Sequence, residues 1–300
     1  MGCARSDRLC RDTFRPAYVT ILFRLLSRLP LPWLHALGAV LGRLVWWCSP
    51  QHRANVRANL QQAFGKVSPE LLAEAVAHAG RQMLEAPFVW CRPLTEVHDH
   101  VLRFEGRALF EAARQRGQSV LMLTAHLGCF EACLQAAAAV TSLTVLYRPP
   151  RKRSMHAVVG WRARGPVSVA PADVSGVRKL ARALRAGEIA AILPDQAPRA
   201  GEGMWVPFFG RPAWTMTLAA RLSETPNVCV LLCWAERVAG KGWVVRAREP
   251  AEPIEGDLAA RCAAINREVE RMVRECPAQY LWSYERYKVP RGVPQPEERS

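Results

Sequence analysis

The most suggestive pair of chemical groups in the sequence is a histidine followed five residues later by a glutamate. Seven histidines are present, and this spacing occurs twice, at His126 with Glu131 and at His100 with Glu105. His100 precedes the strand-like run VLRFE, in which Glu105 would lie several residues away along one strand, so that pair indicates a surface turn. His126 follows the apolar run SVLMLTA and is separated from Glu131 by a Leu-Gly turn. The second pair is therefore the candidate for a catalytic dyad.

The turn after His126 decides whether the two side chains can meet. On a continuous helix, residues five apart point roughly 140° away from each other. With a turn between them, the imidazole at the end of the strand can meet a carboxylate in the first turn of the helix. Such a carboxylate fixes the tautomer, stabilises the imidazolium and leaves the second ring nitrogen free as a general base. A buried structural histidine fits the same spacing, and the residues alone leave both interpretations open.

No protein nucleophile accompanies this dyad. The sequence has no Gly-x-Ser-x-Gly elbow, and Cys129, between the two dyad residues, is expected to pack rather than attack. It also lacks both common glycine-rich phosphate loops and any Cys-x2-Cys pair, so neither a nucleotide cofactor nor a metal is predicted. A base without a protein nucleophile indicates that a substrate hydroxyl or a water molecule is deprotonated and attacks directly.

Alternating apolar and amphipathic segments predict the elements that must position the dyad. Strands are expected at Val101–Phe104, Ser119–Thr124, Leu143–Tyr147, Ile189–Leu193, Val228–Trp234 and Trp243–Arg248. Helices are expected at Gln51–Gly65, from Ser68 towards Trp90, and at Ala108–Arg116, Glu131–Val140, Val177–Ala186, Thr215–Ser223 and Leu258–Arg274. Strands that alternate with helices form a layered α/β sheet, with reactive residues where the strands end. We predict one α/β catalytic domain with a helical N-terminal extension.

Composition and charge exclude several classes of protein. Hydrophobic residues make up 50% of the 300 residues and charged residues 22%, which is typical of a globular chain and excludes a disordered one. The ten cysteines are scattered along the chain, which excludes a small disulfide scaffold. The 41 basic and 26 acidic residues give a net charge of +15, which favours an anionic partner: nucleic acid, an anionic membrane surface or a phosphorylated substrate.

Basic charge is concentrated at the N-terminus, together with apolar residues. The first 60 residues contain nine arginines and two aspartates, with no lysine or glutamate. They include two apolar runs, Tyr18–Leu29 and Leu31–Cys48, and each falls short of a charge-free span of about 20 apolar residues. The runs predict either a hairpin of core helices or a membrane-associating anchor. We divide the chain into an anchor at 1–50, a catalytic domain at 51–292 and a polar tail at 293–300.

Several sequence blocks, in the same order, resemble the bacterial lipid A biosynthesis (lauroyl/myristoyl) acyltransferases, within the glycerolipid acyltransferases. The motif HLGCFE at 126–131 is similar to that family's His-x4-Asp/Glu motif. Further matching blocks are RANVRANLQQAF at 53–64, YRP at 147–149, WRAR at 161–164, LPDQ at 193–196, VPFFG at 206–210 and CPAQYLWSYERYK at 276–288. The resemblance covers about residues 18–292. It departs at Cys129-Phe130, where the family usually has Asn-Trp, and at Glu285, where a basic residue is common.

The resemblance implies that the protein moves a fatty acyl chain from acyl-acyl carrier protein to a hydroxyl of a lipid A precursor. It implies a glycerolipid-acyltransferase-like layered sheet flanked by helices, with an N-terminal membrane-associating helical segment. By position, His126 would deprotonate the acceptor hydroxyl, and Glu131 would orient His126. The alkoxide would attack the thioester directly, without an acyl-enzyme. The thioester is a co-substrate, and no bound cofactor is implied.

The resemblance carries further polar residues into the site. Arg148 and Arg164 are candidates for holding phosphate groups or the oxyanion, because a guanidinium offers two parallel donors. Arg162 is a near-equal choice to Arg164. Asp195, at a strand end, would support the site. Taken alone, each arginine also fits a solvated surface charge, and Asp195 fits a turn after a proline.

The resemblance also implies a cellular location. The protein would lie at the bacterial inner membrane, with its catalytic domain on the cytoplasmic side and its basic segment on the anionic membrane surface. Its expected partners are acyl carrier protein and a lipid A precursor, and not nucleic acid. Acylation of another membrane glycolipid or aminolipid is the alternative within the same chemistry. A basic, non-catalytic membrane or nucleic-acid-binding protein is the alternative of a different class, and arginines within apolar runs favour the membrane.

Overall fold

Nine strands lie within residues 18–148 and 160–296, the ranges that the computed structural model describes. They are β1 (Val101–Glu105), β2 (Ser119–Leu123), β3 (Leu143–Tyr147), β4 (Val167–Pro171), β5 (Ile189–Ile192), β6 (Gly203–Phe208), β7 (Arg211–Met216), β8 (Val228–Val238) and β9 (Gly242–Arg248). Seven of them form one sheet in the order β1-β9-β8-β2-β5-β3-β4, and β6 and β7 pair as a separate hairpin.

Parallel pairing dominates the large sheet. Strands β8, β2, β5, β3 and β4 run in one direction, whereas β9 is antiparallel to β8, and β1 is parallel to β9. Every residue of β2 and β5 is buried, as expected of parallel strands that are covered on both faces. The predicted layered α/β architecture is therefore confirmed.

Helices flank this sheet. They are α1 (18–27), α2 (Leu31–Cys48), α3 (Pro50–Phe64), α4 (Pro69–Cys91), α5 (Leu94–Asp99), α6 (Arg107–Gln115), α7 (Phe130–Ala138), α8 (Val174–Arg185), α9 (Leu218–Leu222) and α10 (Leu258–Glu275), with a 3-10 turn at Pro277–Gln279. The predicted helix start after Ser68 is confirmed, because the Ser68 hydroxyl accepts a hydrogen bond from the Leu71 N–H at 3.1 Å.

The two faces of β2 contribute to different parts of the apolar core. Val120 and Met122 pack in a cluster with residues of α4, α6 and α7, including Phe88. Leu121 and Leu123 pack in a second cluster with residues of α8 and α10. Since successive side chains of a strand point to opposite faces, β2 is fixed from both sides. The segment that follows it therefore starts from a rigid base.

The β6–β7 hairpin differs from the expectation based on sequence. The sequence predicts a helix over Thr215–Ser223, but Thr215 pairs with Met204 across the hairpin. Helix α9 begins only at Leu218. The two turn residues, Phe209 and Gly210, have positive φ angles of 46° and 75°, as a two-residue hairpin turn requires. A phenylalanine in this conformation conceals the turn, because glycine, asparagine or aspartate is the usual signal.

The N-terminal segment contributes α1 and α2 to the structure. Of the helices in the described ranges, none combines the length and the apolar character that crossing a bilayer requires. Residues 1–17 of the predicted anchor and 297–300 of the predicted tail lie outside the described ranges. The division of the chain at residue 50 stays a prediction. Helix α2 packs directly on α4, which belongs to the predicted catalytic domain.

Glycines allow α2 and α4 to approach closely. A Cβ atom on Gly80 of α4 would lie 1.9 Å from the Gly38 carbonyl oxygen and 2.4 Å from the Gly42 nitrogen. A Cβ on Gly42 would lie 2.1 Å from the Val76 carbonyl oxygen. These are backbone atoms, so only a shift of one whole helix would make room. The contact therefore depends on the absence of side chains at these positions.

Gly80→Ala is expected to destabilise the protein by about 1–3 kcal/mol, because overpacking forces the two helices apart. Chemical denaturation of the purified variant measures this loss. Gly160→Ala is the matched control, since a Cβ there would meet no atom of the described residues within 4 Å. It is expected to change the free energy of unfolding by no more than about 0.5 kcal/mol. Equal stability of the two variants would contradict the close contact between α2 and α4.

Candidate active site

His126 and Asp195 lie beyond the carboxyl ends of two neighbouring parallel strands. Strands β2 and β5 pair in register up to Leu123 and Ile192. His126 follows Leu123 by three residues, and Asp195 follows Ile192 by three. Equal steps beyond a shared register bring the two side chains to the same point at the edge of the sheet, which is where α/β folds place their sites.

Asp195 holds both the ring and the backbone of His126. The Nδ1 atom of His126 lies 2.9 and 3.1 Å from the two carboxylate oxygens of Asp195, and the His126 backbone N–H donates to Oδ2 at 3.1 Å. Burial by itself raises the pKa of Asp195, but the charge and hydrogen bonds of His126 outweigh this effect and lower the pKa below its ordinary value. An ionised Asp195 keeps the proton on Nδ1 and leaves Nε2 available as a base.

A buried arginine adds positive charge near Asp195. Arg286 is 2% exposed, and its charge contributes to the lowered pKa of Asp195. Its guanidinium donates to the Trp214 carbonyl oxygen at 2.8 Å and to the Thr215 hydroxyl at 2.7 Å. These neutral acceptors fix the position of the guanidinium without cancelling its charge. Arg286 therefore helps to keep Asp195 ionised.

The second ring nitrogen of His126 remains partly accessible. The side chain of His126 is 21% exposed, against 2% for Asp195. The side-chain nitrogen of Gln196 lies 3.3 Å from Nε2, in position to donate to an unprotonated ring nitrogen. The ring of Phe130 packs edge-on against the imidazole at 5.0 Å between centroids. The imidazole is thus held on three sides while Nε2 can still reach a ligand.

Glu131 has a different partner from the one expected. Its carboxylate contacts the guanidinium of Arg162, with Nη2 to Oε1 at 2.5 Å and Nε to Oε2 at 3.2 Å. The carboxylate that bonds the imidazole of His126 is that of Asp195. Glu131 does not make the hydrogen bond to His126 that the sequence predicts, because it pairs with Arg162. The physical reason is the fork of Arg162, which engages both carboxylate oxygens of Glu131. Glu131 still lines a cavity with His126.

Two cavities meet at His126. One has a volume of about 220 Å³ and is lined by Gln82, Glu85, Ala86, Trp90, His126, Cys129, Phe130, Glu131 and Arg162. The other has a volume of about 200 Å³ and is lined by His126, Leu146, Tyr147, Arg148, Arg162, Ala172, Leu193, Gln196, Ala197 and Met216. His126 and Arg162 line both of them. A ligand in either cavity would therefore lie against an imidazole and a guanidinium.

The arginines expected in the site separate into two groups. Arg148, at the end of β3, lines the second cavity with His126, as Arg162 does. Arg162 also lies over the ring of Tyr147, at 4.9 Å. Arg164 instead donates to the carbonyl oxygens of Val89 and Arg92 at the end of α4. The structure therefore brings Arg148 and Arg162 to His126 and places Arg164 in neither of its cavities.

The turn after His126 is anchored by backbone bonds and by a glycine. Gly128 has φ of 58°, and a Cβ there would lie 1.9 Å from the Ala235 carbonyl oxygen. The Gly128 N–H donates to the Gln279 carbonyl oxygen at 3.0 Å, and the Cys129 N–H donates to Ala235 at 2.9 Å. These bonds attach the turn to β8 and to the C-terminal segment. They fix the point from which α7, and hence Glu131, projects.

A buried ion pair supports the same turn from behind. Arg237 and Glu85 are 0% and 1% exposed, and the guanidinium contacts both carboxylate oxygens. Arg237 also donates to the Gly128 carbonyl oxygen at 2.9 Å. Trp243 and His35 contact the same Glu85 oxygen at 3.1 and 3.2 Å. Burial alone raises the pKa of Glu85, but the charge and hydrogen bonds of Arg237 lower it to about 2, so the pair is charged at neutral pH.

Glu85→Gln is expected to destabilise the protein by about 3–5 kcal/mol, because it leaves the buried guanidinium of Arg237 without its counter-charge. Denaturant unfolding of the purified variant measures the loss. Glu111→Gln is the control, since Glu111 pairs with Arg107 on the surface at 45% exposure. That exposed pair is worth about 0.5 kcal/mol or less. A loss no larger for Glu85→Gln than for Glu111→Gln would contradict the proposed support of the turn.

The second histidine–glutamate pair takes no part in this site. His100 lies at the end of α5, where its Nδ1 is 2.8 Å from the Glu96 carbonyl oxygen, and its ring packs against Phe88 at 4.9 Å. It lines neither cavity of His126. Among the residues described, no group of three or more histidine, cysteine or acidic side chains is arranged to hold a metal ion.

Some residues of the site carry no sequence signal that we recognised. Gln196 follows Asp195 in the LPDQ block but has no expected role. Glu85 and Arg237 are 152 positions apart, and only the fold brings them together. Arg162 is the exception, because the block WRAR and the near-equal choice between its two arginines already direct attention to it.

Comparison with known proteins gives the same family as the sequence blocks. A family model described as bacterial lipid A biosynthesis acyltransferase matches residues 10–289. The chain is 24% identical over 269 residues to the lipid A biosynthesis palmitoleoyltransferase of Escherichia coli (strain K12), covering 87% of each chain. It is 25% identical over 291 residues to the lipid A biosynthesis lauroyltransferase of the same organism, covering 90% of each. A lipid A biosynthesis acyltransferase of Haemophilus influenzae is 24% identical over 187 residues, covering 60% of this chain and 57% of that protein.

Proposed function

The chain belongs to the bacterial lipid A biosynthesis acyltransferase family, and we propose that it transfers a fatty acyl chain from acyl-acyl carrier protein to a hydroxyl of a lipid A precursor. The observation that carries the proposal is the His126–Asp195 pair, whose Nε2 opens on two cavities lined by Arg162. The family relation supplies the reaction class and the lipid A pathway. The donor, the acceptor hydroxyl and the residue roles are our proposals.

His126 acts as the general base in the proposed reaction. Its Nε2 takes the proton of the acceptor hydroxyl while Asp195 stabilises the imidazolium that forms. The alkoxide attacks the thioester carbonyl, the C–O bond forms, and the C–S bond then breaks. The proton passes from Nε2 to the departing thiolate of the carrier protein. The acyl chain therefore moves in a single transfer, with no acyl-enzyme and no cofactor.

Arg162 is our proposal for stabilising the oxyanion of the tetrahedral intermediate. Its guanidinium lines both cavities at His126 and is only 13% exposed, and a donor held in place in such a site can stabilise a developing oxyanion. Glu131 holds that guanidinium through two contacts and so acts by positioning it. Arg148, exposed at the end of β3, is the proposed contact for an anionic group of either substrate.

The exposed apolar residues of the first two helices support a location at a membrane surface. Nine large apolar side chains of α1 and α2 are between 44% and 78% exposed: Tyr18, Ile21, Leu22, Leu25, Trp33, Leu37, Val40, Leu44 and Trp47. Such a surface is unusual on a free monomer and is typical of a contact with a membrane or another protein. The basic charge of the segment suits anionic lipids. We propose the bacterial inner membrane, with the catalytic domain on its cytoplasmic side.

An acyl-transfer assay with purified components tests the proposed function. The full-length protein is mixed with carrier-protein thioesters of several acyl lengths and with a lipid A precursor or another membrane glycolipid. Mass spectrometry is expected to show one added acyl chain on the lipid A precursor, with thioester consumed only when acceptor is present. Acylation of the other glycolipid alone would contradict the acceptor. Acylation of neither lipid would contradict the function.

A further inference from the structure

A third cavity lies beside the catalytic one and is rich in arginine. Its volume is about 480 Å³, and it is lined by Arg24, Ser27, Arg28, Trp90, Cys91, Arg92, Trp161 and Arg164. We call it the arginine cavity. It is formed by α1, by the end of α4 and by residues 161–164. Trp90 lines this cavity and also the 220 Å³ cavity at His126, so the two are neighbours.

Two of its four guanidiniums are fixed by neutral acceptors. Arg92 donates to the carbonyl oxygens of Ser27 and Arg28, and Arg164 donates to those of Val89 and Arg92. Carbonyl oxygens hold a guanidinium in place but leave its charge uncompensated. Of the carboxylates in the described part of the chain, one is paired with these two: Glu96, 2.8 Å from Arg92. The cavity wall is therefore preorganised and carries net positive charge.

The other two guanidiniums are exposed: Arg24 lies in α1, and Arg28 is the residue directly after its end. Arg24 and Arg28 are four residues apart at the end of α1, and both line the arginine cavity. Within the described ranges, neither forms an ion pair with a carboxylate. Exposed arginines can turn towards a ligand, and their planar donors match the oxygens of a phosphate.

Trp90 and Trp161 form the aromatic side of the cavity. The indole Nε1 of Trp90 is buried and has no hydrogen-bond partner among the described residues. Trp90 stacks on Phe23 at 5.8 Å, and Trp161 packs against the same ring at 5.8 Å. Phe23 and the guanidinium of Arg162 lie against the ring of Trp90, so a ligand that joins a sugar ring to a phosphate would contact the indole edges next to the arginines.

We infer that the arginine cavity binds a phosphate group on the sugar headgroup of the acceptor lipid, and so positions the hydroxyl that His126 activates. This inference rests on the proposed function, because it assigns a binding site to that acceptor. Apolar residues of α1 such as Ile21 and Leu25 are exposed close in sequence to Arg24 and Arg28. A headgroup at a membrane surface would therefore meet this cavity at the level of the proposed lipid contact.

The test compares a double variant with a matched control. Arg24→Gln with Arg28→Gln removes the two exposed guanidiniums. The control is Arg178→Gln with Arg182→Gln, an exposed pair at the same spacing on α8 that lines neither the arginine cavity nor those of His126. Initial rates are measured with the phosphorylated acceptor and with the same acceptor after enzymatic removal of its phosphates. Binding to vesicles that contain anionic phospholipid is measured alongside.

The expected result is a KM for the phosphorylated acceptor at least fivefold higher in the double variant, with kcat unchanged. The KM for the dephosphorylated acceptor is expected to be the same as in the wild type, and the control is expected to match the wild type with both acceptors. An equal rise in KM for both acceptors, together with weaker vesicle binding, would overturn the inference in favour of a simple membrane contact. An unchanged KM would also overturn it.

A binding measurement keeps the inference testable if the wild type transfers no acyl chain. Glucosamine 1-phosphate and glucosamine are titrated separately, and tryptophan fluorescence reports occupation of the cavity through Trp90 and Trp161. The phosphorylated sugar is expected to change the fluorescence of the wild type and the control, with a dissociation constant at least fivefold weaker in the double variant. Equal responses to both sugars, or the same response to inorganic phosphate in every variant, would overturn the site whatever the reaction.

Discussion

His126→Ala is expected to lower the rate of acyl transfer by about 10²–10⁴-fold, the range that positioned general bases contribute. The loss is expected in kcat, because the imidazole acts on the proton that moves in the transition state. The side chain is partly exposed and its removal leaves no large buried void, so the variant is expected to remain folded. Steady-state rates with a carrier-protein thioester and the lipid A precursor measure the effect.

The control for this variant is the other histidine with a glutamate five residues later. His100→Gln is expected to retain the wild-type rate, because His100 lines neither cavity of the site. Circular dichroism and thermal unfolding establish that both variants are folded. Similar losses of rate in the two variants would assign the effect to stability and would remove His126 from the proposed chemistry.

Asp195→Asn is expected to lower kcat by about 10²–10⁴-fold, although Asp195 itself need not touch the substrate. The amide cannot supply the charge that holds the proton on Nδ1 of His126 and stabilises the imidazolium, and loss of such an orienting carboxylate is known to be severe. In the His126→Ala background, the same substitution is expected to add little, because the two residues act as a unit.

The KM values separate this positioning role from a binding role. They are expected to remain close to those of the wild type.

The Asp195→Asn variant is also expected to begin unfolding at a higher pH than the wild type when the solution is acidified. The lowered pKa of Asp195 contributes stability above the ordinary range of an aspartate and loses it as pH falls through the lowered pKa, and asparagine lacks that contribution. A variant with wild-type kcat would show that another group orients His126.

The sequence identifies His126 correctly as a strand-end residue, and the structure shows why its carboxylate partner is harder to find. Hydrophobic periodicity locates the ends of β2 and β5 to within one residue, since the predicted strands extend only to Thr124 and Leu193. It does not give the order of strands across the sheet. Asp195 is 69 positions from His126, and only the pairing of β2 with β5 brings them together.

The short spacing between His126 and Glu131 favours Glu131 as the partner of His126, but in the fold Glu131 pairs with Arg162. Glu131 projects from the first turn of α7, as expected, but Arg162 occupies both of its oxygens. Arg162 comes from a segment beyond β3, whose approach to α7 leaves no periodic pattern in the sequence. The sequence therefore supports the presence of Glu131 in the site and misassigns its contact.

Regular elements with clear periodicity are predicted well, and irregular or buried polar features are not. The run Leu143–Tyr147 matches β3 in full, because every residue in it suits a buried strand. Glu85 illustrates the opposite case. A glutamate in an amphipathic helix is normally assigned to the solvent face, and only the distant Arg237 explains its burial.

The central claim is that His126 activates the acceptor hydroxyl itself, so that the acyl chain passes directly from thioester to acceptor. A single-turnover experiment with excess enzyme and a radiolabelled acyl-carrier thioester tests it most directly. Without acceptor, the label is expected to stay on the carrier protein. With a lipid A precursor, it is expected to appear in the lipid without ever being attached covalently to the enzyme. Labelled enzyme formed in the absence of acceptor and chased into lipid would contradict the account.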